Sequence, residues 1–157
     1  MRVLATIMRS NFASQMQTQQ NDLTQWVNEI LTGVWQYQVC CDVPLCRRFC
    51  LMVWCSQQAN GTLLNYLDQS DSFADSSSTA LLAATTFRYS KLANDGQHDT
   101  AAMEAFDLVF NSINQDGWLL NTVDPILWGS PSQGGSYSPE GQSFVLLLAA
   151  AWAAYTS

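Results

Sequence analysis

The chain has 157 residues, 48% of them hydrophobic, enough for one domain with its own core and without disulfide staples. A formal net charge of -7 and a pI near 4.2 leave no basic face to follow a phosphate backbone, which excludes nucleic acid as a partner. The longest apolar stretch, Phe144 to Tyr155, falls well short of the roughly 20 residues that cross a hydrocarbon core, so it reads as a buried helix and no membrane partner is expected.

Residues 1–20 are poorly specified. Arg2 precedes a brief apolar run, Val3 to Met8, that Arg9 interrupts. The run is shorter than the roughly 7 to 15 residues of a signal-peptide core, and no export signal is visible. Asn60-Gly61-Thr62 nevertheless fits the acceptor pattern for N-glycosylation, which leaves secretion of a parental protein open.

Residues 21–157 form the domain proper. From Asn21 to Trp35, Leu23, Trp26, Val27, Ile30, Leu31 and Val34 recur at spacings of three and four, which predicts an amphipathic helix. All five cysteines, Cys40, Cys41, Cys46, Cys50 and Cys55, follow in one short stretch. Their gaps of zero, four, three and four residues do not make the paired spacing of a zinc site, and an odd number does not close a disulfide set. No metal and no cofactor is expected. Residues 39–58 read as an insertion foreign to the rest, with the features of a translated intron: valine codons begin with GT and a glutamine codon can end in AG.

Asn60-Gly61 then supplies a turn before Thr62 to Leu67, a candidate extended piece. Asp75-Ser-Ser-Ser78 announces the next helix, because short oxygen-bearing side chains accept from the free N–H groups of a first turn. Helix is predicted from Thr79 to Leu92, where Ala80, Leu81, Ala83, Ala84 and Phe87 allow close approach and Arg88 and Lys91 complement the last turns. A third helix is expected from Asp99 or Thr100 to about Asn114, its apolar stripe being Ala102, Met103, Phe106, Val109, Phe110 and Ile113.

Asp116-Gly117 ends that helix, and a loop of roughly twenty residues follows, longer than most connections in compact domains. It carries Trp118, Asp124, Trp128 and Tyr137. The last helix has three agreeing start signals: Ser138 as N-cap, Pro139 at the first helical position and Glu140 in the first turn. Its interior is apolar on all sides, and such a helix is expected to be enclosed by others. Helices joined by short turns and one long loop, with no strand alternation, predict an all-α fold of stacked antiparallel hairpins.

Three motifs in order, Gly33-Val-Trp-Gln-Tyr37, Asp75-Ser-Ser-Ser-Thr-Ala-Leu-Leu82 and Ser138-Pro-Glu-Gly-Gln-Ser-Phe-Val145 with Ala150-Ala-Trp152, resemble those of six-hairpin glycosidases. The match is to glycoside hydrolase families 105 and 88, the unsaturated rhamnogalacturonyl and glucuronyl hydrolases. The resemblance implies a partial (α/α)6 barrel, with loops at one end forming a pocket for a terminal unsaturated uronic acid. It also implies a hydration reaction, in which an aspartic acid protonates a vinyl ether. That acid needs a raised pKa. The Arg-x-Asn-Gly-Trp motif that accompanies it in the family is missing from this sequence, and the barrel takes more than twice this length. The expectation is an incomplete, inactive hydrolase domain; the alternative is a non-catalytic carbohydrate-binding or interaction module.

The candidate sugar-binding residues are Trp128, Tyr137, Asp75, Asp124 and Glu140; no catalytic residue is assigned. Trp128 and Tyr137 either stack on sugar faces or pack the loop. Asp75 either caps its helix or opens toward substrate, as the equivalent acidic-Ser-Ser turn does in the family. Glu140 suits a helix start or the barrel mouth, Asp124 before Pro125 is a turn signal, and Trp118 reads as a core anchor. His98, the one histidine, reads as solvated.

Overall fold

The computed structural model describes residues 1–36, 61–69 and 71–157. The cysteine-rich stretch and Asn60 of the sequon lie outside the described residues. Five α-helices are present among those described: α1 (Arg2–Arg9), α2 (Gln17–Trp35), α3 (Ser76–Ala93), α4 (Asp99–Asn111) and α5 (Pro139–Tyr155). β-Pairing there is confined to three isolated antiparallel bridges, Leu64 with Ala74, Ile113 with Leu119 and Val123 with Pro131. None of the described helices is long and apolar enough to cross a membrane.

Side-chain contacts fix how the helices run. Ser77, at the start of α3, lies against Gly141 at the start of α5, while Lys91 Nζ, near the end of α3, donates to the carbonyl of Ala154 near the end of α5; α3 and α5 are therefore parallel neighbours. Tyr155 Oη donates to Asp99 Oδ2 at 2.7 Å, and Gln142 reaches Gly117 just past α4, so α4 runs antiparallel to both. On the other flank, Trp35 Nε1 donates to Thr86 Oγ1 at 2.9 Å and Thr32 meets His98 beyond the end of α3. That makes α2 antiparallel to α3. α3 and α4, joined by a short turn, form an antiparallel hairpin, with α5 parallel to α3 on one flank and α2 antiparallel to it on the other: an all-α arrangement of helical hairpins, as in part of an (α/α)6 barrel.

The core sits between α3, α4 and α5. Ala80, Ala83, Ala84 and Phe87 of α3 meet Ala102, Ala105 and Val109 of α4 and Val145, Leu148 and Ala151 of α5, all buried. The alanines let the backbones approach. Phe87 packs edge-on against Trp152 with ring centroids 5.0 Å apart, and Trp152 in turn tilts onto Phe106 at 4.8 Å. A buried set of this kind stabilises by roughly 25 cal/mol for each Å² of apolar surface removed from water.

Three departures from the sequence reading have physical causes. Met103 and Phe110 are exposed, because Ala101, Ala102 and Ala105 turn the buried face of α4 toward the small residues of α3. The apolar α5 is covered on one side only: Leu146 is 67% exposed, so enclosure is not completed within these residues. Residues 2–9 form a helix where only an interrupted apolar run was legible, since its N-cap, Met1, gives no side-chain cap and α1 buries only Leu4.

Candidate functional site

The helix starts predicted by composition are built as such. Asp75 Oδ1 accepts from Ser77 N at 2.9 Å and Oδ2 from Ser78 N at 3.1 Å, with the Ser77 hydroxyl also donating to Oδ1. Asp75 is buried, and both its oxygens are committed to the first turn of α3. Ser138 Oγ accepts from Gly141 N at 3.0 Å, and Glu140, exposed, accepts from the Ser138 hydroxyl at 3.3 Å.

The same motifs then hold the long loop in place. Ser76 N donates to the carbonyl of Asn121 at 3.0 Å, and its hydroxyl donates to the carbonyls of Leu120 and Asn121. Asn121 adopts a left-handed φ of 58°, a conformation that asparagine tolerates. Gln142 clamps the beginning of the loop: its Oε1 accepts from Leu119 N at 3.1 Å and its Nε2 donates to Gly117 O at 2.9 Å. Gly141 is required for contact, because a Cβ there would stand 2.9 Å from Thr122 Cγ2 and 3.3 Å from Ser77 Cβ. The acidic-Ser-Ser and Glu-Gly-Gln motifs are thus scaffolding that seats the loop on the N-terminal ends of α3 and α5.

What the loop displays is aromatic. Trp118 and Tyr137 stack with centroids 4.7 Å apart and planes 10° from parallel. Trp118 is more than a third exposed, which replaces the core-anchor reading with a surface pair. Trp128 is 73% exposed; its Nε1 donates to Pro125 O at 3.0 Å, and its carbonyl accepts from Asn65 Nδ2 at 2.7 Å. The ring therefore stands on a braced turn. Asp124 forms that turn, its Oδ1 accepting from Ile126 N at 2.8 Å and Leu127 N at 2.9 Å. Those backbone N–H groups hold the Asp124 carboxyl below the usual carboxylate range.

Asp124 and Trp128 share one turn, Trp118 and Tyr137 form a second feature, and Asp75 and Glu140 belong to the helix starts beneath. A cavity of about 390 Å³ lies under the loop, with Phe73, Ser76, Leu108, Asn121 and Pro131 among its walls. None of the five predicted site residues lines it, and sequence reasoning did not find it. Its walls come from four separate segments whose meeting has no local signal. Among the described residues, no group of His, Cys, Asp or Glu is arranged to hold a metal. Every described Lys and Arg borders a different cavity at the other end of α3 and α5.

His98 corrects another expectation. It is buried at the α3–α4 turn, with Nε2 3.3 Å from both Thr32 Oγ1 and Asn28 Oδ1 of α2. Burial lowers its pKa below the ordinary 6.5, against the opposing pull of Asp95 and Asp99.

No family model and no curated protein matches the sequence. Among solved structures, the fold is similar to the crystal structure of a possible member of GH105 family from Salmonella enterica subsp. enterica serovar Paratyphi A, with a TM-score of 0.67 and 17% sequence identity. The match covers 88% of this chain and 33% of the other, so the chain spans about a third of the length of the protein it resembles.

Proposed function

We propose that this chain is part of a carbohydrate-active hydrolase of the unsaturated glycuronyl hydrolase type, and that it supplies an aromatic sugar-contacting wall without the catalytic acid. The observation that carries the reading is positional. Two of the three motifs of the resemblance fall at the helix starts that seat one loop, and that loop presents Trp128 on a braced turn and, as a second feature, the Trp118–Tyr137 stack. An exposed indole offers a flat apolar face to the axial C–H groups of a sugar ring.

Two of the carboxylates support inactivity of the chain by itself. Asp75 is engaged by two backbone N–H groups, and Asp124 is shifted in the direction opposite to that of a proton donor. The described part of this end also has no Lys or Arg, so its contribution is stacking and hydrogen bonding and not charge pairing with a uronate. The same observation favours the second reading, a non-catalytic carbohydrate-binding module.

The purified chain, incubated with unsaturated uronyl disaccharides while the absorbance of the double bond is followed, is expected to give no turnover. Oligosaccharide titration monitored by tryptophan fluorescence is expected to saturate, and Trp128→Ala to weaken binding by about tenfold, a loss of roughly 1.4 kcal/mol. A flat fluorescence response to neutral and acidic oligosaccharides alike would remove both readings. Turnover by the chain alone would overturn the assignment of the acid elsewhere.

A further inference from the structure

At the opposite end of the bundle, α1 faces the C-terminal halves of α3 and α5 across a cavity of about 340 Å³. That volume is at the low end of small-molecule sites, roughly 300–1,000 Å³. Phe87, Leu92, Ala150, Ala151 and Ala154 give it an apolar lining. Arg2, Arg9, Arg88 and Lys91 also line it, and no Asp or Glu does among the described residues. These are all the Lys and Arg of the described residues, in a chain whose net charge is -7.

Helix electrostatics account for only part of this clustering. Lys91 Nζ donates to the carbonyl of Ala154 and to Ser157 Oγ at 3.2 Å, so it closes the end of α5, and Arg9 complements the end of α1. Arg2 is in the first turn of α1, where the dipole disfavours a cation. Arg88 is half-buried beside alanine and phenylalanine with no carboxylate in the lining. A guanidinium partly withdrawn from water without a counter-charge is costly, and an anion placed beside it recovers that cost.

We propose that this cavity binds a small amphiphilic carboxylate, its head group among Arg88, Arg2 and Arg9 and its apolar chain along Leu92, Ala150 and Ala154. The planar fork of arginine matches a carboxylate through two parallel N–H···O bonds. The apolar lining excludes a densely hydroxylated or multiply charged ligand, whose polar groups would lose water without replacement. The site is separate from the aromatic loop and does not depend on the sugar-binding reading.

The test uses the full chain and calorimetric titration with octanoate, octan-1-ol, octylammonium and inorganic phosphate. Octanoate is expected to bind at least about tenfold tighter than each of the other three, and its affinity to fall as NaCl is raised. Arg88→Gln is expected to weaken octanoate by about tenfold and leave octan-1-ol unchanged. Should Arg88→Gln unfold the protein, as judged by circular dichroism, Arg9→Gln, at an exposed residue of the cavity mouth, carries the same test with a severalfold loss expected. Equal affinity for octanoate and octan-1-ol, phosphate binding as tightly as octanoate, or no binding of octanoate would each overturn the proposal.

Discussion

Asp75 combines burial, a cap and a place in a motif, and these make separate demands on its side chain. If its main work is the first turn of α3, Asp75→Ala lowers stability by about 1–2 kcal/mol, and Asp75→Asn, which keeps a capping oxygen, loses less. Urea unfolding of the two variants distinguishes them, and equal losses would assign the cost to burial alone. His98 gives a pH dependence with a defined sign. Its folded-state pKa lies below the ordinary 6.5, so the unfolded chain binds the proton more readily. The stability it contributes is present above 6.5 and is lost as pH falls through the lowered value. His98→Gln is expected to flatten that part of the stability profile; an unchanged profile assigns the slope to the carboxylates. Neither the burial nor the shift was legible from Gln97-His98-Asp99, because polar chain neighbours conceal a contact with Asn28 and Thr32 made about seventy residues away.

The helix starts were the most legible elements. Ser138-Pro139-Glu140 and Asp75-Ser-Ser-Ser78 announce α5 and α3 by chemistry confined to one turn, and both caps are formed. The end of α3 was equally local: Asn94 takes the left-handed C-cap position with φ 52°. Which face each helix buries was less legible, since periodicity gives an apolar stripe and the neighbour decides how much of it is covered. Gly141 tests the packing of the α3–α5 pair directly. Alanine there gains up to about 1 kcal/mol in helix propensity but meets the buried Thr122 methyl at 2.9 Å, and overpacking costs about 1–3 kcal/mol. Gly141→Ala is therefore expected to destabilise, and Thr122→Ser, which removes that methyl, to relieve part of the loss in a double-mutant cycle. Additive losses would place the strain elsewhere.

At the scale of the whole molecule, the described helices leave apolar side chains uncovered. Leu146 of α5 and Trp26 and Ile30 of α2 are each more than half exposed. Large exposed apolar side chains on both flanks promote association, so the purified chain should sediment as concentration-dependent oligomers, with Leu146→Lys and Ile30→Lys shifting it toward monomer at little cost in folding stability. Sedimentation velocity across a concentration series checks this, and a wild-type monomer at all concentrations would contradict it. The toroidal character was readable only through the order of three motifs, because curvature resides in contacts between hairpins and no single segment encodes it. The stacked pair Trp118 and Tyr137 has a different implication, for how this architecture tolerates change. It joins the two ends of the long excursion near their roots, and the stretch around Gly134 lies outside the contacts that Ser76, Gly141 and Gln142 make with residues 119–122. Peptides grafted near Gly134, where the backbone is exposed and a side chain would meet open space, should leave the bundle folded, so this surface can be lengthened without unseating the helices.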